Sequence, residues 1–233
     1  MTKKQRKAKT DYERERRRLH RLHRFEYAAR ARGYLLIGGV DEVGRGPLAG
    51  PVIAACVVAE RALMIPRLND SKQLQPEVRA RLSEEIKQRC YAWAVGAASV
   101  EEIDRLNIYH ASILAMERAI AALPCLPEYL ITDAVRIASF TGPQEPLIKG
   151  DARCAAVAAA SIVAKVYRDG LLEALHREDP RYGFASHKGY STPEHLAAIE
   201  RYGPCAHHRA NWARIRESLE RLYGAAAADA IND

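Results

Sequence analysis

The sequence predicts an α/β domain built on a mixed five-stranded sheet flanked by helices, followed by a helical subdomain. Three observations carry that reading. β-like apolar runs at residues 34–40, 52–58 and 90–98 come early in the chain. Two more short runs, at 129–133 and 146–149, follow among helical patterns. Beyond about residue 152 the patterns are helical only. A chain of 233 residues has room for one generous domain or two small ones.

The elements follow in order. Lys3-Lys4-Gln5-Arg6-Lys7 is expected to be disordered. Leu19, Leu22 and Phe25 recur at spacing three, a weak helical stripe with too little apolar surface to fold alone. Residues 1–33 are therefore expected to be a flexible basic extension, helical only when docked, and closed by Gly33. Tyr34 to Val40 and Val52 to Val58 are two strands of a hairpin. Residues 61–74 form a loop that holds Asp70-Ser71-Lys72. Gln75-Pro76-Glu77 starts a helix running to about Arg89, with proline suited to its first turn. Cys90 to Ala98 is the third strand.

Ser99-Val100-Glu101-Glu102 has the form of a capping box. It opens a helix from about Val100 to Leu123, broken near Leu106-Asn107. Pro124 and Pro127 end it. Tyr129 to Asp133 is a short strand with a carboxylate at its C-terminal end. Residues 134–144 are turn-rich, and Pro146 to Lys149 is a brief fifth strand ending next to Asp151. Ala152 to about Arg177 is Ala-rich and strongly helical. Its small side chains suit close packing on a sheet. Residues 182–190 are a loop. Thr192-Pro193-Glu194 caps and starts another helix, and a last helix runs from about Ala206 to Tyr223, with Gly224 placed to stop it. The domain proper is thus expected over 34–223, with the helical subdomain from about 172 and a flexible tail over 224–233.

Composition excludes some classes. No run of roughly 18 apolar residues exists, so no membrane span is expected. The basic N-terminus is not followed by the apolar segment of a secretory signal. Five cysteines, at 56, 90, 125, 154 and 205, are odd in number and include no C-x-x-C pair. They suggest neither a zinc site nor a disulfide framework, and reduced thiols in a cytoplasm are expected. Residues 1–33 hold 13 Lys/Arg against 4 Asp/Glu, a net charge of +9, while the other 200 residues hold 23 against 25, a net −2. Basicity belongs to the extension, a plausible nucleic-acid contact or simply a solubilising tail.

The chemistry concentrates at strand ends. Asp41 and Glu42 are followed by a linker of three glycines (44, 46 and 50) and two prolines (47 and 51). Successive strand residues face opposite ways, so both carboxylates can serve one site only at a strand end or a bulge. The linker is no Walker loop, since no Gly-Lys-Ser/Thr follows. Asp133 and Asp151 also end or follow β-like runs, where ligands gather in open α/β sheets. Each alone has a plainer reading: a charged turn at 41–42, a turn start at Asp133, and a helix N-cap at Asp151. Together, four carboxylates repel unless a cation neutralises them. An all-oxygen set without His or Cys selects Mg²⁺ or Mn²⁺ over zinc.

Residues 37–51 closely resemble the signature of ribonuclease HII, the type 2 ribonuclease H. Asp70-Ser71-Lys72-Gln73-Leu74 resembles that family's DSK-x-L segment, and Ile131-Thr132-Asp133 its central aspartate strand. Lys149-Gly150-Asp151 and the run Ala158 to Asp169 are similar to its GD and AAASI-x-AKV-x-RD blocks. Ser186 to His195 is similar to its HKGY-x-T-x-x-H block. The blocks stand in the family's order over roughly residues 35–215.

The resemblance implies an RNase H-like fold. It implies an endonuclease that hydrolyses the RNA strand of RNA–DNA hybrids, and also cuts 5′ of single ribonucleotides in duplex DNA, leaving 5′-phosphate and 3′-hydroxyl ends. Asp41, Glu42, Asp133 and Asp151 would be its catalytic metal ligands, with helix capping competing for Asp151. Two Mg²⁺ or Mn²⁺ ions about 4 Å apart would activate water and stabilise the leaving oxygen. Gly44-Arg45-Gly46 would sense the 2′-hydroxyl that separates RNA from DNA, and Tyr190 would stack on the sugar at the junction. Arg45, Lys72, Lys165, Arg168 and Lys188 are candidates for phosphate contacts, or ordinary surface cations in the case of the last four. His187 and His195 read as hydrogen-bonding residues rather than metal ligands, and Asp169 as the partner of a cation. A monomer is the family default.

Three rival readings remain at this point. Ribonuclease HIII carries a longer N-terminal domain and departs from Gly-Arg-Gly, so 33 residues before the core and Arg45 favour type 2. A non-catalytic nucleic-acid-binding protein would bind without cutting. A resolvase-like nuclease of the same fold would cut all-DNA junctions.

Overall fold

The computed structural model describes residues 3–223, with side chains from residue 9 onward. The expectations for 224–233, including the Gly224 helix stop, lie outside the described residues. The sheet has the order β3-β2-β1-β4-β5. Its strands are β1 (Ile37–Val43), β2 (Val52–Ala59), β3 (Ala92–Ala98), β4 (Tyr129–Asp133) and β5 (Gln144–Leu147). β1 pairs antiparallel with β2 and parallel with β4, so the sheet is mixed and β1 lies at its centre. This is the mixed five-stranded sheet that the sequence predicts, with helices on both faces.

The helices are α1 (Lys3–Leu22), α2 (Arg24–Ala31), α3 (Pro76–Arg89), α4 (Val100–Ala121), α5 (Gly150–Arg153), α6 (Ala155–Glu178), α7 (Phe184–His187), α8 (Pro193–Tyr202) and α9 (Ala213–Tyr223). β2 shows how the layers form. Ile53, Ala55 and Val57 face α3 and α6, while Val52, Ala54, Cys56 and Val58 face α4. Ala155, Ala158, Ala159 and Ala164 of α6 are buried on the first face. α6 lies so close to β1 that a Cβ on Gly39 would come 2.1 Å from the Ala156 carbonyl carbon. A third cluster, Leu172, Tyr182, Phe184, Ile199 and Ile215, forms the core of the helical subdomain, with Leu48 and Ala49 of the hairpin linker inserted. Among the described residues no helix is long and apolar enough to cross a membrane, and the five cysteines are free.

The extension differs from expectation: its described residues are two helices docked on the domain, not a flexible arm. Leu19 and Leu22 are buried beside Leu63, Ile65 and Leu68 of the long loop, worth about 2 kcal/mol each. Glu15 accepts from Arg67 N at 2.8 Å, and Arg18 donates to Leu68 O at 2.9 Å. The buried Glu26 accepts from Ala156 N at 2.8 Å and so caps α6 from outside its own segment. Composition hid this because the partners lie far away in sequence.

Other boundaries moved for local reasons. β5 starts at Gln144, whose side chain closes the preceding loop on Ile137 and Phe140, and it stops before Lys149, which has φ 57°. The Ala-rich helix is interrupted at Cys154, which is extended at φ −131° and ψ 130°. The predicted break in α4 falls at Asn107, with φ 66°, and the capping box at Ser99 is formed with both bonds present. Residues 184–187 of the predicted loop are helical, and the last helix begins only at Ala213.

Candidate active site

β1 carries its carboxylates without a bulge: its register with β2 is continuous through Asp41↔Ala55 and Glu42↔Ala54. The pairing with β4 ends at Val40↔Thr132, so Asp41 and Asp133 each follow directly on the last pair of two parallel neighbours. Asp133 Oδ1 accepts from Gly150 N at 2.7 Å. That bond ties the end of β4 to the start of α5 and brings Asp151 to the same corner. Asp151 Oδ1 accepts from Ala152 N and Asp41 Oδ1 from Glu42 N, both at 2.9 Å.

The four carboxylates form one electrostatic group. Burial raises Asp41 well above the usual carboxylate range, and the charges of Glu42, Asp133 and Asp151 push it the same way, against a hydrogen bond from Ser161. Burial raises Glu42 against the nearby Arg45. Burial also raises Asp133, with Asp151 adding to it and Gly150 N, Lys72 and Arg45 opposing. Arg45 Nη1 is 3.2 Å from Glu42 Oε1, and Lys72 Nζ is 3.5 Å from Asp151 Oδ2. Among the described residues, no three His, Cys, Asp or Glu side chains are drawn up tightly enough to hold an ion as they stand. The residues nevertheless fit a hard divalent cation. Their donors are all oxygens, Glu42 Oε2 is buried without a hydrogen-bond partner, and the mutual repulsion is of the kind a cation relieves.

Three residues further along, the glycine turn begins. Gly44 has φ 96°, and a Cβ there would come 2.3 Å from Arg168 Nε. Beneath the turn two arginines are fully buried. Arg168 donates to the carbonyls of Pro51, Ala49 and Lys188 at 3.0, 2.9 and 3.0 Å. Arg209 donates to the carbonyls of Gly44, Arg45 and Gly50. The exposed Tyr190 ring faces the turn: a Cβ on Gly46 would lie 3.8 Å from it.

The site thus gathers Asp41, Glu42, Asp133, Asp151, Gly44, Arg45, Gly46, Lys72 and Tyr190. Three predicted phosphate contacts are placed otherwise. Arg168 is buried with its guanidinium spent on backbone carbonyls, so it shapes the turn instead of reaching a phosphate. Lys165 Nζ is held by Asp169 Oδ1 at 2.7 Å, with its side chain only 15% exposed. Lys188 Nζ is held by Glu173 Oε1 at 2.6 Å. Asp169 is, as expected, a cation's partner, bound also by Arg79 at 3.3 Å. Sequence reasoning missed Arg209, which stands in an irregular segment with no local motif. It also missed Ser161, whose Oγ lies 2.9 Å from Ser71 Oγ and so links the Asp70-Ser71-Lys72 loop to Asp41.

Comparison with known proteins completes the picture. The family model described as Ribonuclease HII matches residues 38–215. A ribonuclease HII of Pelotomaculum thermopropionicum is 50% identical over 206 residues, covering 88% of this chain and 77% of the relative. The crystal structure of the ribonuclease H2 from Pyrococcus horikoshii OT3 superposes with a TM-score of 0.68 at 27% identity, covering 80% of this chain and 98% of that one. Bst-RNase HIII, solved in complex with Mn²⁺, shares the fold at 20% identity, with a TM-score of 0.60 over 88% of this chain and 73% of that one.

Proposed function

The chain belongs to the ribonuclease HII family, and from that premise we propose that it cuts the RNA strand of RNA–DNA hybrids and also nicks duplex DNA 5′ of a single embedded ribonucleotide. The products carry 5′-phosphate and 3′-hydroxyl ends. The observation that carries the reading is the junction of a four-carboxylate cluster, with Asp41 and Asp151 buried, and a glycine turn three residues beyond Asp41.

Asp41, Glu42, Asp133 and Asp151 would hold Mn²⁺ or Mg²⁺. When bound, two such ions supply an activated water and stabilise the leaving 3′-oxygen. The chain's own residues do the rest. Backbone groups of Gly44-Arg45-Gly46 meet the 2′-hydroxyl, where a larger side chain at either glycine would crowd it. Tyr190 stacks on the sugar, a contact on the scale of the roughly 1–3 kcal/mol that aromatic stacking contributes in single-strand binding. Arg45 and Lys72, both exposed, take phosphates. The extension adds non-specific affinity through Arg14, Arg16, Arg17 and Arg21, exposed along α1. The protein works as a monomer in the cytoplasm.

The test is a labelled DNA duplex with one ribonucleotide, run beside an all-DNA control and a full RNA–DNA hybrid, with Mg²⁺, Mn²⁺ or chelator. Metal-dependent nicking 5′ of the ribonucleotide, absent on all-DNA, is the expected result. Binding without nicking would leave a non-catalytic binder, and cutting of the all-DNA control would point to a resolvase-like nuclease.

A further inference from the structure

The 205–209 segment does more than fill the helical subdomain. His208 is buried, and the Cys205 backbone N–H reaches its Nδ1 at 3.0 Å. Nδ1 also lies 3.1 Å from Cys205 Sγ and 3.3 Å from the Cys205 carbonyl, but the N–H is the nearest partner and can only donate, so Nδ1 accepts and the His208 proton sits on Nε2. That Nε2 is 3.0 Å from His195 Nε2. His195 Nε2 must then accept, which leaves the His195 proton on Nδ1, 2.9 Å from the Tyr190 carbonyl. Each bond fixes the next tautomer, and the relay ends on the backbone of the sugar-facing tyrosine. His187, stacked on His195 at 4.3 Å, accepts from Gly189 N and donates to Tyr182 O. The backbone of residues 189 and 190 is thus gripped by two imidazoles, while the Tyr190 ring stays exposed toward Gly46. The residue after His208 is Arg209, which cradles the glycine turn. Two consecutive residues thereby set both faces of the cleft.

We propose that His195, backed by His208, is a positioning residue that sets Tyr190 against the substrate sugar. The proposal rests on the reading of Tyr190 given above. Burial holds His195 down at about 4 and His208 at about 3, so both imidazoles are neutral near pH 7, the state the relay requires. Thr192 N also reaches the Tyr190 carbonyl, at 2.8 Å, so the loop survives loss of the histidine and what changes is its placement.

The test is a double-mutant cycle on the one-ribonucleotide duplex, measuring KM and kcat with melting temperature as a folding control. His195→Phe keeps a buried ring without a donor and is expected to lose about tenfold in kcat/KM. His195→Asn places an amide N–H where Nδ1 stood and is expected to recover most of that loss. In a Tyr190→Ala background, His195→Phe is expected to change cleavage less than about twofold, because the residue it positions is gone. An equal loss with and without Tyr190, or no recovery by asparagine, would overturn the proposal. If His195→Phe does not fold, His208→Leu replaces it in the same cycle, with the same expected dependence on Tyr190. Tyr190→Ala cutting as well as the parent would instead overturn the tyrosine reading, and this proposal with it.

Discussion

Three carboxylates with raised affinity for protons, Asp41, Glu42 and Asp133, have a consequence at the scale of single residues. A carboxyl whose folded value lies above its unfolded one binds more protons in the native state. Stability without metal therefore falls as pH rises from the ordinary carboxylate range through the folded value. Asp41→Asn removes the most strongly raised group, so its unfolding free energy should depend less steeply on pH than the parent's in chelator. His195 and His208 act in the opposite sense, losing stability as pH falls from about 6.5 toward their depressed values. Parent and variant share them, so they cancel in the difference, which pH-dependent melting would measure. Ser161→Ala breaks the link between Asp41 and Ser71 and leaves a buried hydroxyl unpaired. It should cost about 1–3 kcal/mol in denaturant unfolding and also slow cleavage.

At the scale of elements, the glycine turn is held from beneath by buried guanidiniums. Arg209→Ala would strand three carbonyls, at Gly44, Arg45 and Gly50, and should destabilise the protein by about 2–4 kcal/mol. Arg209→Lys should rescue little, because one ammonium cannot span what the fork reaches. Denaturant unfolding measures both. Here the limits of the sequence are physical. Asp41, Glu42, Asp133 and the Gly44-Arg45-Gly46 turn are legible because they end or follow β-like runs and carry a local motif that resembles a known family's. Arg168 was legible as a cation, but its burial was not, since an Arg-Asp pair on a helix reads as surface. Arg209 and Glu26 had no local signal at all. Their roles exist only through partners more than a hundred residues away, in Arg45 and Ala156.

At the scale of the whole molecule, the extension is both scaffold and charge. Deleting residues 1–33 removes the Glu26 cap on α6 and uncovers the core under Leu19 and Leu22, so the melting temperature should drop. It also removes a net +9, so the salt slope of duplex binding should flatten. An unchanged melt and slope would contradict both roles. The central claim is that Asp41, Glu42, Asp133 and Asp151 act together as one metal-dependent centre. The most direct measurement is calorimetric titration of Mn²⁺ into the parent and into Asp133→Asn, with nicking of the one-ribonucleotide duplex followed on the same samples. At least a roughly tenfold weaker metal affinity is expected in the variant, with cleavage reduced on the order of 10²–10³-fold. Mn²⁺ binding and cleavage both unchanged in Asp133→Asn would contradict the claim.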